Sequence, residues 1–248
     1  MSKWLLILTG ILAMAGDARA GWYQVENFEG RVGSDTIRLS LQRYDGFGSG
    51  ITVEGSYYRD SDLTPVALYG KAAGGSLELC EITSEAELLK TIIQGSKTPV
   101  ETAGCPLKLH VTPDRATGTW FDGAETRAVD LTKVATLDDT GDGALTGDVE
   151  IPFWAQMPTQ VFIGLYSQTS SGICMTKLRV GNKATGKIEQ EIAFPDEPCD
   201  AGMLMTPIYL NVEIGDDETV LVNFRDGRMG FARSFKFDAG TNKFRQVD

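Results

Sequence analysis

The chain has 248 residues, with 34 acidic and 23 basic side chains, and therefore a formal net charge of −11 at pH 7. A surface this acidic repels phosphate backbones and anionic lipid headgroups, so nucleic acids and membrane surfaces are excluded as expected partners. The length is sufficient for one large domain or two small ones, each with its own apolar core.

The first twenty residues have the pattern of a secretory signal peptide. Lys3 supplies a positive charge, residues 4–15 form an apolar core, and the Ala-Arg-Ala sequence at 18–20 places small residues where a signal peptidase reads them. The apolar core is shorter than the roughly 20 residues of a membrane-spanning helix. We therefore expect cleavage after Ala20, no membrane insertion, and a mature protein that is periplasmic or secreted.

Alternation of apolar and polar residues predicts a run of short strands after the signal peptide. Ser84 and Glu87 interrupt this run with a capping box, which predicts a short helix from Ser84 to about Gln94. The strands of the first half are predicted near 22–28, 36–43, 51–59, 65–72, 76–82, 106–112, 117–121 and 127–133.

An acidic segment rich in turn-forming residues, at 137–148, separates two halves of the chain. We predict an N-terminal barrel-like domain over 21–136, a linker over 137–148 and a C-terminal antiparallel domain over 149–248. The predicted fold class is all-β, an antiparallel meander barrel or sandwich. Strands of the second half are predicted near 149–154, 160–166, 174–180, 187–194, 207–214, 218–225, 229–237 and 242–247.

Four cysteines lie in the mature part of the chain: Cys80, Cys105, Cys174 and Cys199. In an oxidising compartment an even number of cysteines favours disulfides, and four cysteines allow three connectivities. The two pairs separated by 25 residues, Cys80 with Cys105 and Cys174 with Cys199, are favoured by spacing because each pair lies within one half.

The acidic segment also contains the beginning of a calcium-binding loop. Asp138, Thr140 and Asp142 stand at alternate positions and are followed by Gly143, a pattern of oxygen ligands typical of calcium loops. Val149 stands where such a loop has its bidentate glutamate. The segment therefore has two interpretations, a weak calcium site and a solvated acidic linker, and no other cofactor is predicted.

Two small-residue loops are the predicted partner-binding sites. One contains Phe47, Ser49 and Gly50. The other, predicted over 167–172, contains Ser170, Ser171 and Gly172. Hydroxyls and amides on a loop that a rigid sheet holds in place can enter the cleft of a partner protein.

The sequence predicts no catalytic residue. His110 is the only histidine, and strand alternation places it on the solvent side of its strand beside Lys108. No Gly-x-Ser-x-Gly sequence marks a nucleophile. We therefore expect a binding protein rather than an enzyme.

Aromatic pairs leave room for a second interpretation of the barrel. A cavity for a small apolar or lipidic ligand, as in a lipocalin-like carrier, could be lined by Gly21-Trp22-Tyr23, Tyr57-Tyr58, Trp120-Phe121 and Phe153-Trp154. The same residues also suit an ordinary apolar core.

Strands of the first half resemble a β-meander module of bacterial secreted proteins. The resemblance lies in Gly55-Ser56-Tyr57-Tyr58, Leu68-Tyr69-Gly70, Leu77-Glu78-Leu79-Cys80-Glu81 and Gly118-Thr119-Trp120. It covers roughly residues 50–133 and implies a meander fold.

The C-terminal segment, Phe231 to Arg245, resembles the last hairpin of periplasmic immunity proteins that neutralise lysozyme-like effectors. Lysozyme inhibitors of several families present a Ser-Gly loop to the enzyme cleft, and Ser49-Gly50 and Ser171-Gly172 match that dipeptide. The resemblance implies a protein partner, a basic peptidoglycan hydrolase, for which an acidic surface is suited.

Overall fold

The computed structural model describes residues 23–44, 51–93, 101–138, 148–169, 172–194, 207–226 and 229–247. Strands make up 68% of the structure and helices 6%, which confirms the predicted all-β class. The predicted signal peptide lies outside the described residues.

The first eight strands form a closed antiparallel barrel in which each strand pairs with the next and β1 closes on β8. All eight are strands that the alternation pattern predicted. Their bounds are β1 Tyr23–Val32, β2 Asp35–Tyr44, β3 Val53–Arg59, β4 Val66–Ala73, β5 Ser76–Ile82, β6 Leu107–Val111, β7 Arg115–Phe121 and β8 Thr126–Asp138.

Inward-facing residues of these strands fill the barrel with an apolar cluster. Because side chains alternate across a strand, Leu39 and Leu41 of β2 face inward while Ser40 and Gln42 face out. The cluster consists of Phe28, Val32, Ile37, Leu39, Leu41, Val53, Tyr57, Leu68, Leu77, Leu79, Leu107, Leu109, Ala116, Val129 and Leu131.

The predicted short helix lies between β5 and β6. Its first turn, α1, spans Glu85–Leu88 and continues as a wider π-helical turn over Leu89–Ile93. Ser84 caps α1, since its Oγ accepts a hydrogen bond from Glu87 N at 3.3 Å. The Glu87 carboxylate accepts from Thr83 N, one residue earlier than the capping-box pattern predicts. The predicted Cys80–Cys105 disulfide is present and closes the loop that carries the helix.

The second half consists of two four-stranded antiparallel sheets. In the first sheet β9 Val149–Gln156, β10 Gln160–Thr169, β11 Gly172–Asn182 and β12 Lys187–Ala193 stand in sequence order. In the second, β13 Val212–Ile214, β14 Val220–Asp226, β15 Met229–Asp238 and β16 Lys243–Val247 do the same. One apolar cluster joins the two sheets, and Phe162 meets Phe244 edge to face at 5.5 Å between ring centroids.

One predicted strand, over 207–214, is partly wrong. Pro207–Leu210 forms a helical turn, α2, and only Val212–Ile214 is strand. Proline has no N–H for a strand ladder, and its fixed φ suits the first position of a helix. Asn223 Nδ2 donates to Leu210 O at 2.7 Å and so satisfies a carbonyl at the end of this turn.

The barrel and the second half share an apolar core. A bulge in the pairing of β1 with β8 leaves Lys133 facing into the barrel but turns Ala135 and Leu137 outward. Together with Val25, these two residues join the cluster between the two later sheets. Strand β8 extends to Asp138, two residues past the predicted boundary at 136, and Leu137 is fully buried. The division into two domains stays a prediction.

Candidate binding groove at the junction of barrel and sheet

Strand β9 lies against the outer face of the barrel and is fixed there by hydrogen bonds. Asn27 Nδ2 donates to Glu150 O at 2.8 Å, and Asn27 Oδ1 accepts from Glu150 N at 2.5 Å. Ser56 Oγ donates to Pro152 O at 2.7 Å. Buried polar side chains on the outside of the barrel thus hold the edge of the neighbouring sheet and set the position of Glu150.

Glu150 is the centre of a charged network at this junction. Its carboxylate forms a close ion pair with Arg179 and accepts a hydrogen bond from Tyr58 OH at 3.0 Å. Arg38 Nη1 lies 3.8 Å from Glu150 Oε2. Only 18% of the Glu150 side chain is exposed, so the two arginines and the phenol hold a carboxylate that is largely removed from water.

Three further carboxylates extend the network. Arg38 also lies 2.7 Å from Glu29 Oε1 and 3.5 Å from Asp60 Oδ1, and Arg179 lies 2.8 Å from Glu191 Oε1. With Glu150, four carboxylates surround two guanidinium groups, and the network carries a net charge of −2.

The pKa values of these groups follow from burial and from their partners. Burial, together with the negative charge of Glu150, raises the pKa of Tyr58 well above 10.0, so its hydroxyl stays protonated and donates. Burial alone would lower the pKa of Arg179, but hydrogen bonding to Glu191 and the charge of Glu150 outweigh it and raise the pKa. The same hydrogen bond from Arg179 lowers the pKa of Glu191.

An open groove of about 340 Å³ lies beside this network. The polar wall consists of Arg38, Tyr58, Asp60, Glu150 and Arg179, and the apolar wall of Leu63, Ile163 and Ile188. Ile188 is 41% exposed, although it is a large apolar side chain. The volume lies within the roughly 300–1,000 Å³ typical of ligand sites.

A tight contact between two loops borders the groove. Gly186, in the turn between β11 and β12, has φ +62°, and a Cβ there would lie 2.6 Å from the carbonyl oxygen of Ser61. Leu63 also has a positive φ, 58°, and its N–H donates to Arg59 O at 2.9 Å. Only glycine permits this approach at 186, so the groove's apolar wall is held in a defined position.

The sequence-predicted partner-binding residues are not among the groove residues. Phe47, Ser49, Gly50, Ser170 and Ser171 lie outside the described residues, and Gly172 is the first residue of β11. The second loop is shorter than predicted, since β10 runs through Ser167 to Thr169 and Thr169 pairs with Gly172. Hydrogen bonding between the two strands continues through most of the predicted loop and leaves only Ser170 and Ser171 between them.

The predicted calcium loop falls mostly outside the described residues. Thr140 and Asp142 are not described, and Asp138 ends β8, where it pairs with Gln24. Asp148 accepts a close hydrogen bond from Ser167 Oγ. Within the described ranges, no group of three or more His, Cys, Asp or Glu side chains could hold a metal ion.

Of the other predicted features, His110 lies exposed on β6 beside Lys108, as the alternation predicts. Cys174 lies in β11 and is disulfide-bonded. Its predicted partner, Cys199, lies outside the described residues, so this pairing stays a prediction.

A small cavity lies inside the described part of the barrel. A cavity of about 10 Å³ lies between the inward-facing residues near Tyr57, Arg59 and Trp120, enough for about one water molecule. Within the described barrel, Tyr57 belongs to the packed cluster and Trp120 packs against it, whereas Tyr58 faces out into the groove.

Sequence reasoning missed the groove residues. Arg38 and Tyr58 occupy positions that alternation assigns to the solvent side of β2 and β3, and Arg179 occupies such a position on β11. The available signal was the pair Tyr57-Tyr58, because one member of an aromatic pair in a strand must face away from the barrel core.

Comparisons with protein-family profiles, with curated proteins and with solved structures found no match to this chain. No helix within the described residues is long and apolar enough to cross a membrane.

Proposed function

We propose that this chain is a non-enzymatic binding protein of the periplasm, an inhibitor of a basic cell-wall-degrading enzyme or an immunity protein against one. The observation that carries the proposal is the excess of acid, −11 over the chain and −2 in the junction network. The signal-peptide pattern and the resemblance to periplasmic immunity proteins support the location and the class of partner.

Electrostatics favours a basic protein as the partner. An enzyme that degrades an anionic polymer benefits from a basic surface, and an acidic protein approaches such a surface faster than a neutral one. Strands carry three of the four acidic groups of the junction, Glu29, Glu150 and Glu191, so little conformational entropy is lost when a partner docks there.

The small-ligand alternative lacks a supporting observation in the described barrel. A carrier of a drug-sized ligand needs a cavity of several hundred Å³. Between the described strands the apolar cluster occupies the interior, and a cavity near Trp120 has about 10 Å³.

The test is inhibition of peptidoglycan hydrolysis by the purified chain without its first 20 residues. Lysozymes of different types and a lytic transglycosylase are assayed with and without an equimolar amount of the chain, and the immobilised chain is used to capture partners from periplasmic and secreted extracts. We expect stoichiometric inhibition of at least one hydrolase. Cytochrome c, a basic protein without hydrolase activity, controls for attraction by charge alone. Absence of both inhibition and hydrolase capture would overturn the proposal.

A further inference from the structure

We propose that the junction groove binds a basic side chain, arginine or lysine, presented by a partner protein. The inference rests on the proposed function for the identity of that partner, but the chemistry of the groove supports it independently. The groove combines an apolar wall with a charged network in which four carboxylates outnumber two guanidinium groups, and an arginine or lysine side chain has two matching parts, an aliphatic stem and a cationic head.

The apolar wall accommodates the stem. Leu63, Ile163 and Ile188 line the 340 Å³ groove. Leu63 and Ile163 are buried, so Ile188, with 41% of its surface exposed, supplies most of the accessible apolar surface. Covering that surface with methylene groups removes apolar area from water on both partners.

The polar wall accommodates the head, and Asp60 is the carboxylate best placed to bind it. The carboxylate of Glu150 is already held by Arg179 and by Tyr58. Asp60 Oδ1, in contrast, lies 3.5 Å from Arg38 Nε, beyond the range of a strong hydrogen bond, and 46% of its side chain is exposed. Its charge is therefore only partly compensated, and a second cation gains from approaching it.

Charge distinguishes a cation from an anion in this groove. An anion could bind Arg38 or Arg179 only by displacing carboxylates that already pair with them, and it would enter a network of net charge −2. A cation enters without displacing any of these pairs.

The experiment uses short peptides as probes and methyl resonances as reporters. Acetyl-Gly-Arg-Gly-amide, its lysine counterpart, its neutral citrulline counterpart and its glutamate counterpart are titrated into the methyl-labelled protein without its signal peptide. We expect saturable shifts of the Leu63, Ile163 and Ile188 methyl signals with the arginine or lysine peptide, in the millimolar range. The barrel-core methyls of Leu77 and Leu109 should not shift.

Asp60→Asn removes the proposed contact and, because Asp60 is exposed and loosely paired, leaves the fold intact. It should weaken binding of the basic peptide by about fivefold, the effect of one partly exposed ion pair. Asp216→Asn, in the exposed turn after β13, removes the same charge elsewhere and should leave the affinity unchanged.

Equal shifts with the citrulline and arginine peptides, shifts with the glutamate peptide instead, or no saturable shift with any peptide would each overturn the inference. The result is separable from the proposed function. If the chain inhibits a hydrolase but shows none of these methyl shifts, the proposed function stands and the groove is not a binding site. If the basic peptides bind but no hydrolase is inhibited, the groove is a binding site and the proposed function is not supported.

Discussion

The barrel and the two later sheets are stabilised in different ways. The barrel interior carries ionisable groups at both ends: Lys133 forms a close ion pair with Glu26, and Glu81 accepts hydrogen bonds from Tyr57 OH at 2.7 Å and from Trp120 Nε1 at 3.1 Å. The space between the later sheets is instead filled by aliphatic side chains and by aromatic rings, among them Phe153, Phe162, Phe194, Phe224 and Phe244.

This difference indicates that the stability of the barrel depends partly on hydrogen bonds and ion pairs, whereas that of the later sheets depends on the burial of apolar surface. Polar groups inside a barrel must find partners within it, because the closed sheet separates them from water. Aromatic rings contribute large buried areas without that requirement. The groove lies where the two parts meet, and it contains both kinds of surface.

The largest expected effect is on the aromatic core. Phe162→Ala removes a fully buried ring and its edge-to-face contact with Phe244, so we expect a loss of about 3–5 kcal/mol in the free energy of unfolding, measured by chemical denaturation. Phe121→Ala, at a side chain that is 50% exposed on β7, is the control and should change stability by less than about 0.5 kcal/mol.

Hydrogen exchange of the Phe162→Ala variant sharpens the comparison. Because Val25 and Leu137 of the barrel belong to the same cluster as Phe162, the barrel amides should lose protection together with those of the sheets. Loss of protection in the second half alone would show that the two parts unfold separately.

A smaller effect is expected from the disulfide. Replacing both Cys80 and Cys105 with alanine opens a loop of 25 residues in sequence separation, and loop closure predicts a loss of about 3 kcal/mol. Denaturation of the variant and of the wild-type protein under oxidising conditions measures it. If the denaturation midpoints of the variant and the wild-type protein were equal, the packing of α1 through Leu88 would be sufficient to keep this loop in place without the disulfide.

The ion pair inside the barrel comes next. Lys133→Met leaves Arg43 as the remaining basic partner of Glu26, whose side chain is only 4% exposed. We expect this substitution to lower the free energy of unfolding by about 2 kcal/mol. Adding Glu26→Gln should recover part of that loss, because the uncompensated charge disappears. A double variant less stable than the sum of the two single changes would contradict this account.

The smallest effect concerns pH. The hydrogen bond from Arg179 lowers the pKa of Glu191 below 4.5, so the stabilisation from this pair is fully present above pH 4.5 and is lost as the pH falls through the lowered value. Because Glu191 is exposed, we expect this pair to contribute less than about 1 kcal/mol to the free energy of unfolding. Glu191→Gln should make unfolding slightly less dependent on pH in this acid range; an unchanged pH dependence would exclude the contribution.

The fold could be predicted further than the site because strand alternation is a local signal. It located the barrel strands from their own residues, and Ser84 marked the helix start. It failed at Pro207, where a proline inside an apolar run begins a helical turn. It also could not predict the bulge near Val134, which reverses the faces of Ala135 and Leu137.

The groove could not be predicted because its members come from distant strands. Arg38, Tyr58, Glu150 and Arg179 lie on β2, β3, β9 and β11. The alternation of apolar and polar residues predicts that these side chains face away from the core of their own sheet. It does not predict which part of the outer surface is covered by another sheet. That information belongs to the packing of β9 on the barrel and is absent from any one segment.

Closure of the barrel by β1 and β8 has a consequence for how the chain folds. Gln24 of β1 pairs with Asp138 of β8. One edge of β1 therefore stays unpaired until β8, the last strand of the barrel, has formed. Hairpins of consecutive strands can form quickly because their residues are close in sequence. The pairing of β1 with β8 joins the two ends of the barrel sequence, so it has the largest loss of loop entropy. We expect closure to be the slow step of folding, and β1 to be the segment that a chaperone must shield during synthesis.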